Sequence, residues 1–171
     1  FRDIAMNHPQ AEQAEFAANL YLDSLNVLGT QIGTGNSACL TEMEGAIDPL
    51  ARLYCGTNAA EHEDLCPVLE TIRCQLRRKQ AELFERNHQY REAAGVYRDI
   101  YVQFENCGDK DQLLWNAALN LEAANLVGLA IQARQNLIRL HPESPLAAKS
   151  IYLIGANYQS LAFYERAAEF Y

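Results

Sequence analysis

Cysteine is the residue type with which this sequence could do the most chemistry. A tetrahedral zinc site is usually built from close pairs such as Cys-x2-Cys, and no such pair occurs here. The cysteines therefore favour disulfide bonds, or reduced and buried thiols, over a metal site. There are five, four of them in the first half of the chain: Cys39, Cys55, Cys66, Cys74 and Cys107.

Helical geometry limits which of these cysteines can pair. We expect a helix between Cys39 and Cys55, which would separate them by about 24 Å at 1.5 Å per residue. A second helix, from Cys66 onward, would separate Cys66 from Cys74 by about 12 Å. A disulfide needs Cα atoms within about 7 Å. We therefore favour a bond from Cys55 to Cys66 or to Cys74, which would indicate an oxidising compartment. Five reduced thiols are the alternative.

The other chemical motifs are weak. The four histidines are scattered, and none stands in a His-Glu-x-x-His arrangement. EHED at 61–64 could chelate a metal weakly, but acidic residues are common at helix N-termini. GTQIGTGNS at 29–37 faintly resembles a phosphate-binding loop, yet it lacks a lysine and a preceding strand. No local signature marks a cysteine nucleophile. We therefore expect no enzymatic activity, no cofactor and no metal.

Composition narrows the class of partner. The 171 residues carry a net charge of −8 and are 49% hydrophobic, which argues against a nucleic-acid surface with its clustered Lys and Arg. The one basic run, RCQLRRK at 73–79, is diluted by Glu82 and Glu85 on the same predicted helix. No run of about 18 apolar residues occurs, so we expect no membrane span. A protein or peptide partner is the remaining class.

A step of 37 residues relates similar residues along the second half of the chain. Two columns contain only small residues, and two contain only large apolar ones. A further column comprises Tyr97, Arg134 and Tyr171, in which the arginine is a departure. The first four columns are Ala81, Ala118 and Gly155; Phe84, Leu121 and Tyr158; Tyr90, Val127 and Tyr164; and Ala93, Ala130 and Ala167.

This step suits antiparallel pairs of helices of about 13–15 residues, with turns between them. Within a pair, Ala93 and Tyr97 are four residues apart and share one helix face. A small residue lets a neighbouring helix approach closely, and the large residue fills the space beside it. A single pair leaves an apolar face bare, so the pairs must stack. The sequence predicts an all-α array, since no segment alternates over a strand's length.

The columns resemble the signature of the tetratricopeptide repeat family. IYLIGANYQSLAFYERAAEFY and AELFERNHQYREAAGVYRDI match its motif at every column position. NAALNLEAANLVGLAIQARQNLIRLHP is the weakest unit, and it ends with the expected Pro142. The resemblance covers about 74–171 and implies a right-handed α-solenoid, with a period three longer than the usual ~34. HPESPLAAKSIYLIG is similar to repeats of bacterial envelope proteins, which implies a periplasmic or envelope location, with the cytoplasm as the alternative.

We divide the chain into a divergent helical region, 1–73, and an array, 74–171, of about three repeats with the last truncated. HPQAEQAEFAANLYLDSLNVLG resembles HPESPLAAKSIYLIGANYQSLA, which indicates a degenerate first repeat. Pro49 predicts a kink or late start of its helix. We expect the natural chain to continue past Tyr171. The elements expected before the array are a helix at 10–28, a loop at 29–39, a helix at 40–54, a loop at 55–66 and a helix at 66–87.

The family resemblance implies that the first helices of the repeats line a concave groove. Trp115 is the only tryptophan. We interpret it as a partner anchor, with packing between repeats as the alternative. Arg78, Trp115 and Tyr152 are 37 apart and predict a ladder of long side chains. Glu82 and Leu119 do not suit an acidic tail, so we expect a mixed-charge or apolar segment. The predicted groove comprises Arg78, Glu82, Gln112, Trp115, Leu119, Tyr152 and Gln159.

Two classes of function follow. The first is a scaffold whose groove binds a peptide or protein segment in a bacterial envelope complex. The second is a structural spacer, or a self-associating array, within a longer protein. An exposed Trp115 favours the scaffold, and a buried Trp115 favours the spacer.

Overall fold

The computed structural model describes residues 1–31, 37–56, 61–105 and 107–171, and the side chains of 28–40 lie outside the described set. Regular secondary structure within these ranges is entirely helical, which confirms the all-α class there. The helices are α1 (Arg2–Asn7), α2 (Ala14–Gln31), α3 (Ser37–Tyr54), α4 (Leu65–Arg86), α5 (Tyr90–Gln103), α6 (Lys110–Ala123), α7 (Val127–Leu140), α8 (Pro145–Ser160) and α9 (Tyr164–Ala168). None of these helices is long and apolar enough to cross a membrane.

The chain forms two compact units, Phe1–Leu76 and Arg77–Tyr171, and the boundary falls within α4. We call them unit 1 and unit 2. In unit 1 the helix α1 was not predicted, because six residues show too little periodicity to detect. The predicted loop at 29–39 is wrong at both ends, since α2 continues to Gln31 and α3 begins at Ser37. One glycine costs a helix only about 1 kcal/mol, and residues 32–36 lie outside the described part.

Proline has different roles at the two positions where it lies within a helix of unit 1. Pro49 lies inside α3, which starts twelve residues earlier, so the predicted late start is wrong. Pro67 is the third residue of α4. An amide hydrogen there would have no partner within the helix, so the proline costs no hydrogen bond.

The core of unit 1 is one apolar cluster from α1, α2, α3 and the first turns of α4. Tyr54 is almost fully buried and donates a hydrogen bond from its hydroxyl to the carbonyl of Ala5, at 2.8 Å. Burial, and secondarily the charge of Glu15, raise the pKa of Tyr54. The largest fully buried apolar side chains of this cluster are Leu22, Leu50, Tyr54, Leu65 and Leu69.

The helices of unit 2 pack in chain order. Each of α5, α6, α7 and α8 packs against the next helix, and α6 also contacts α8. The predicted small columns are buried throughout, at Ala81, Ala118, Gly155, Ala93, Ala130 and Ala167. A Cβ atom on Gly155 would lie 3.0 Å from Cε1 of Tyr171 and 3.2 Å from Cβ of Phe170. The close approach of these two side chains, which follow α9, explains the glycine at this position of the column.

The turn between the helices of each pair repeats the same backbone motif. His88, Asn125 and Ala162 have φ values of 59°, 58° and 62°, and they are 37 residues apart. The residue after each one donates its amide hydrogen to the carbonyl five residues back, as Leu126 does to Leu121 at 2.8 Å. This is the Schellman motif, which usually places glycine at the left-handed residue. The chain has histidine, asparagine and alanine there, so the sequence carried no glycine signal.

Candidate functional site

The predicted groove residues lie on the first helices of the pairs, α4, α6 and α8. Arg78, Glu82, Gln112 and Trp115 are half-buried, whereas Leu119, Tyr152 and Gln159 are exposed. These first helices are neighbours, since α6 contacts α8 and Asn120 on α6 bonds to Glu85 on α4. The structure therefore places the seven residues on three adjacent helices of one unit. We call this set the stripe.

The predicted ladder of Arg78, Trp115 and Tyr152 is engaged at each step with residues outside the ladder. Nη1 of Arg78 lies so close to Gly108 that a Cβ there would be 2.7 Å away. The ring of Tyr152 lies 5.5 Å from that of Tyr171, in a tilted arrangement. Trp115 packs against the buried cluster of Leu114, Leu137 and Ala147. Since Trp115 is half-buried, it contributes to the core and also keeps an accessible face.

Polar residues that the sequence analysis missed connect consecutive pairs. Arg134 on α7 is fully buried, and its Nη2 donates to Oε2 of Glu122 on α6, at 2.5 Å. Its Nη1 donates to Oδ1 of Asn157 on α8, at 2.7 Å. Asn157 in turn donates from Nδ2 to Oε1 of Glu122, at 2.5 Å. We call this closed triad the second junction. A buried charge needs such pairing, since desolvation alone would cost several kcal/mol.

The first junction repeats the second one, 37 residues earlier. Asn120 on α6 is buried and donates from Nδ2 to Oε1 of Glu85 on α4, at 2.6 Å. Tyr97 on α5 stands in the column of Arg134 and is hydrogen-bonded to the same carboxylate. Burial raises the pKa of Tyr97 to about 12; the charge of Glu85 and its hydrogen bond add to this effect, as does Glu82, while Arg78 opposes it. The phenol of Tyr97 and the guanidinium of Arg134 thus bond to equivalent carboxylates, Glu85 and Glu122.

A third set of residues continues the register at the end of α8. Gln159 stands where Glu85 and Glu122 stand, and the hydroxyl of Tyr171 donates to its Oε1 at 2.8 Å. Both side chains are exposed. We call Gln159 and Tyr171 the third position.

The junctions explain the departure in the sequence pattern. Arg134 interrupts a column of tyrosines, but its guanidinium bonds to Glu122, which stands 37 residues after the Glu85 carboxylate that Tyr97 reaches. The polar partners follow the 37-residue step as well, from Glu85 to Glu122 and from Asn120 to Asn157. Extending the step from apolar to polar residues would therefore have singled out these residues, but not the way they pair.

A second polar cluster ties the helix ends of unit 2 together. Lys110 donates from Nζ to the carbonyl oxygens of Tyr101, at 2.7 Å, and of Phe104. Ser144 donates from Oγ to Oδ2 of Asp111 at 2.5 Å, and this bond is the main cause that lowers the pKa of Asp111. These residues lie at the end of α5 and at the starts of α6 and α8, so we assign them to the positioning of these helices.

The cysteines of unit 1 include a disulfide. Cys55 and Cys66 are joined, with Cα atoms 5.5 Å apart, which is one of the two pairings that the sequence left open. The side chain of Cys39 lies outside the described part. Cys55 follows the last residue of α3 and Cys66 is the second residue of α4, so the bond fastens the corner between these helices.

The histidines and the EHED segment were the candidates for a metal site. Within the described ranges, no three His, Cys, Asp or Glu side chains come together in a group that could hold a metal ion. His62, in the EHED segment, has Nδ1 3.0 Å from Oε2 of Glu15.

Comparison with family models found no match to the chain, and comparison with curated proteins found no significant one. The relation to the tetratricopeptide repeat family therefore stays a prediction.

Proposed function

We propose that unit 2 is a binding module of the tetratricopeptide-repeat type, a right-handed array whose first-helix stripe holds a peptide or protein segment. One observation carries the proposal: the stripe keeps apolar side chains accessible next to buried residues of the same helices. Leu119 is 40% exposed and Tyr152 is 62% exposed, while Ala118 and Ile154 on the same helices are buried. Exposed apolar residues in line on neighbouring helices are typical of interaction surfaces.

The chemistry of the stripe favours an extended or helical segment with apolar side chains and mixed charge. Trp115 and Tyr152 offer large rings with one polar atom each, which suits interface anchors. Arg78 and Glu82 bring opposite charges to α4, so neither a strongly acidic nor a strongly basic segment is favoured. The disulfide between Cys55 and Cys66 supports an oxidising compartment, and we propose the bacterial cell envelope.

Trp115 provides the test, since the single indole reports on its own surroundings. The protein is used to isolate partners from a native envelope extract, and each purified partner segment is then titrated while Trp115 emission is recorded. We expect a blue-shifted emission and less quenching by acrylamide on binding. Trp115→Ala should weaken binding by about 2 kcal/mol or more, near thirtyfold.

The matched control is Val102→Ala, because Val102 is 75% exposed and lies on α5, outside the stripe. It should leave the affinity unchanged. If folded Trp115→Ala protein binds the segment as tightly as the wild type, the stripe is not the binding site.

A second candidate function is a spacer or a self-associating array. The exposed aromatic residues Phe163, Tyr164 and Tyr171 around α9 favour it, because contiguous exposed apolar surface promotes association. Sedimentation velocity over a wide concentration range distinguishes the two candidates. A monomer at all concentrations supports the scaffold, and a concentration-dependent dimer that Trp115→Ala does not change supports self-association.

A further inference from the structure

The two junctions show which helix face this fold uses to close a repeat. In the first junction the following first helix, α6, presents three buried residues, Leu113, Ala117 and Asn120. In the second junction α8 presents Ser150, Ile154 and Asn157, which are likewise buried. Both sets have spacings of four and then three residues, so each lies along one side of its helix. The asparagine ends the set and reaches the carboxylate of the preceding first helix.

The third position stands in the same 37-residue register as the two junctions, but its side chains are exposed. Tyr97 is 5% exposed and Arg134 is 0% exposed, whereas Tyr171, in the same column, is 63% exposed. The next column shows the same change in exposure: Ala94 and Ile131 are buried, whereas Ala168 is exposed. Within the described residues, the α8–α9 surface is thus exposed where α6 and α8 cover the two closed surfaces.

We propose that the α8–α9 surface binds one further α-helix with a defined face. That face carries a small or apolar residue, an apolar residue four positions later, and an asparagine three positions after that. The asparagine pairs with Gln159, and its neighbours cover Tyr171. The proposal shares Gln159 with the stripe, but it follows from the junctions and does not use Trp115, the residue that tests segment binding.

The chemistry at Gln159 selects an amide. Oε1 of Gln159 already accepts from Tyr171, and a carbonyl oxygen has a second lone pair for an incoming Nδ2 hydrogen. Nε2 of Gln159 can donate to the incoming Oδ1, as Nη1 of Arg134 does to Asn157 in the second junction. An aspartate in the incoming position would bring no donor for Oε1 and would bury a charge without a cation.

The experiment adds a further first helix in register. A copy of residues 135–171 is fused directly after Tyr171, so that every added residue falls 37 positions beyond its original. The added copy then presents its counterpart of Asn157 to Gln159. Hydrogen exchange of the added first helix measures the docking equilibrium. We expect clear protection, and a loss of about five- to tenfold when Gln159→Leu or the leucine replacement of the added asparagine is introduced.

A double-mutant cycle decides whether the two amides meet. The two replacements together should lose no more protection than either one alone, since they remove the same interaction. The matched control is Gln132→Leu, an exposed glutamine of α7 outside this surface, which should leave protection unchanged. Trp115→Ala should also leave it unchanged, so a failure of stripe binding and a failure of this proposal are distinguishable.

Three results would overturn the proposal. An unprotected added helix would show that the surface does not take a helix of this type. Protection that is insensitive to both replacements would show that docking does not involve the amides. Dimerisation of the unextended protein that Gln159→Leu abolishes would assign the surface to a second copy of the chain.

Discussion

Unit 1 and unit 2 are both helical, but they are stabilised in different ways. Unit 1 has one continuous apolar cluster and a disulfide at the corner between α3 and α4. Among the described residues, every buried polar or charged side chain belongs to unit 2: Asn120, Arg134, Ser150 and Asn157. Apart from the buried bond of the Tyr54 hydroxyl to the Ala5 carbonyl, unit 1 has its side-chain contacts nearer the surface, such as Tyr21 to Glu42 and His62 to Glu15.

The difference in stabilisation is related to the repeated helix pairs of unit 2. Apolar side chains of different shapes, as in the cluster of unit 1, pack closely in only one arrangement. Helices that repeat at a fixed step offer nearly the same apolar surface at each step, and a slip of one turn would cost little. A buried asparagine that must reach one carboxylate penalises such a slip, because the displaced groups would be left unsatisfied. We infer that the junctions set the register of unit 2, and four predictions test this comparison.

The largest effect is expected at the second junction. Glu122→Leu would leave the fully buried guanidinium of Arg134 without its carboxylate. We expect a loss of about 3 kcal/mol in the free energy of unfolding, at the low end for a pair broken from one side because Glu122 is partly exposed. Urea titration followed by circular dichroism measures it.

The double variant Glu122→Leu with Arg134→Leu is the control, because removing both charges should recover most of the loss. If the single variant is as stable as the wild type, the triad does not hold the second junction together.

The next effect concerns unit 1. Cys55→Ser removes the bond to Cys66, and we expect a loss of about 2–3 kcal/mol, since the bond closes a short loop in the unfolded chain. Hydrogen exchange should show the loss in α2 and α3, with protection in α7 and α8 unchanged. Equal loss in both sets of helices would contradict the separate stabilisation of the two units.

The third effect is a pH dependence at the first junction. The pKa of Tyr97 is about 12 in the folded protein and about 10 in an unfolded chain. Unfolded protein therefore ionises first, so stability is complete below pH 10 and falls as the pH rises from 10 to 12. Tyr97→Phe should reduce this fall and lose about 1 kcal/mol at pH 7 through the missing hydrogen bond.

Tyr21 also has a pKa raised to about 12, by burial and by its hydrogen bond to Glu42, so unit 1 has its own alkaline dependence. Tyr21→Phe is therefore the matched control, measured by hydrogen exchange in each unit. An unchanged alkaline profile for unit 2 after Tyr97→Phe would remove Tyr97 as its cause.

The smallest effect is a gain at the last Schellman turn. Ala162 has φ 62°, a conformation that is unfavourable for alanine and easy for glycine. Ala162→Gly should stabilise unit 2 by about 0.5–1 kcal/mol, seen as a higher thermal midpoint. Asn125→Gly should gain less, because asparagine tolerates this conformation better. A gain at Asn125 larger than that at Ala162 would contradict this explanation.

The sequence alone was sufficient for the helical class and for the helices of the array. The columns of small residues, from Ala81 to Gly155 and from Ala93 to Ala167, predicted positions that the structure buries. Helix periodicity and side-chain size are local properties, so the sequence shows them directly. The helix boundaries around 29–39 were predicted poorly, since turn residues near a helix end are tolerated. Handedness and membership of the tetratricopeptide repeat family stay predictions.

Only the tertiary structure decided which polar groups meet. Nothing local to Arg134 indicates that it is buried between Glu122 and Asn157, because the three residues come from three helices. The choice of Cys66 as the partner of Cys55, and the half-buried state of Trp115, were open for the same reason. A pairing across helices depends on how those helices pack, and packing sums many weak contacts that no single stretch of sequence contains.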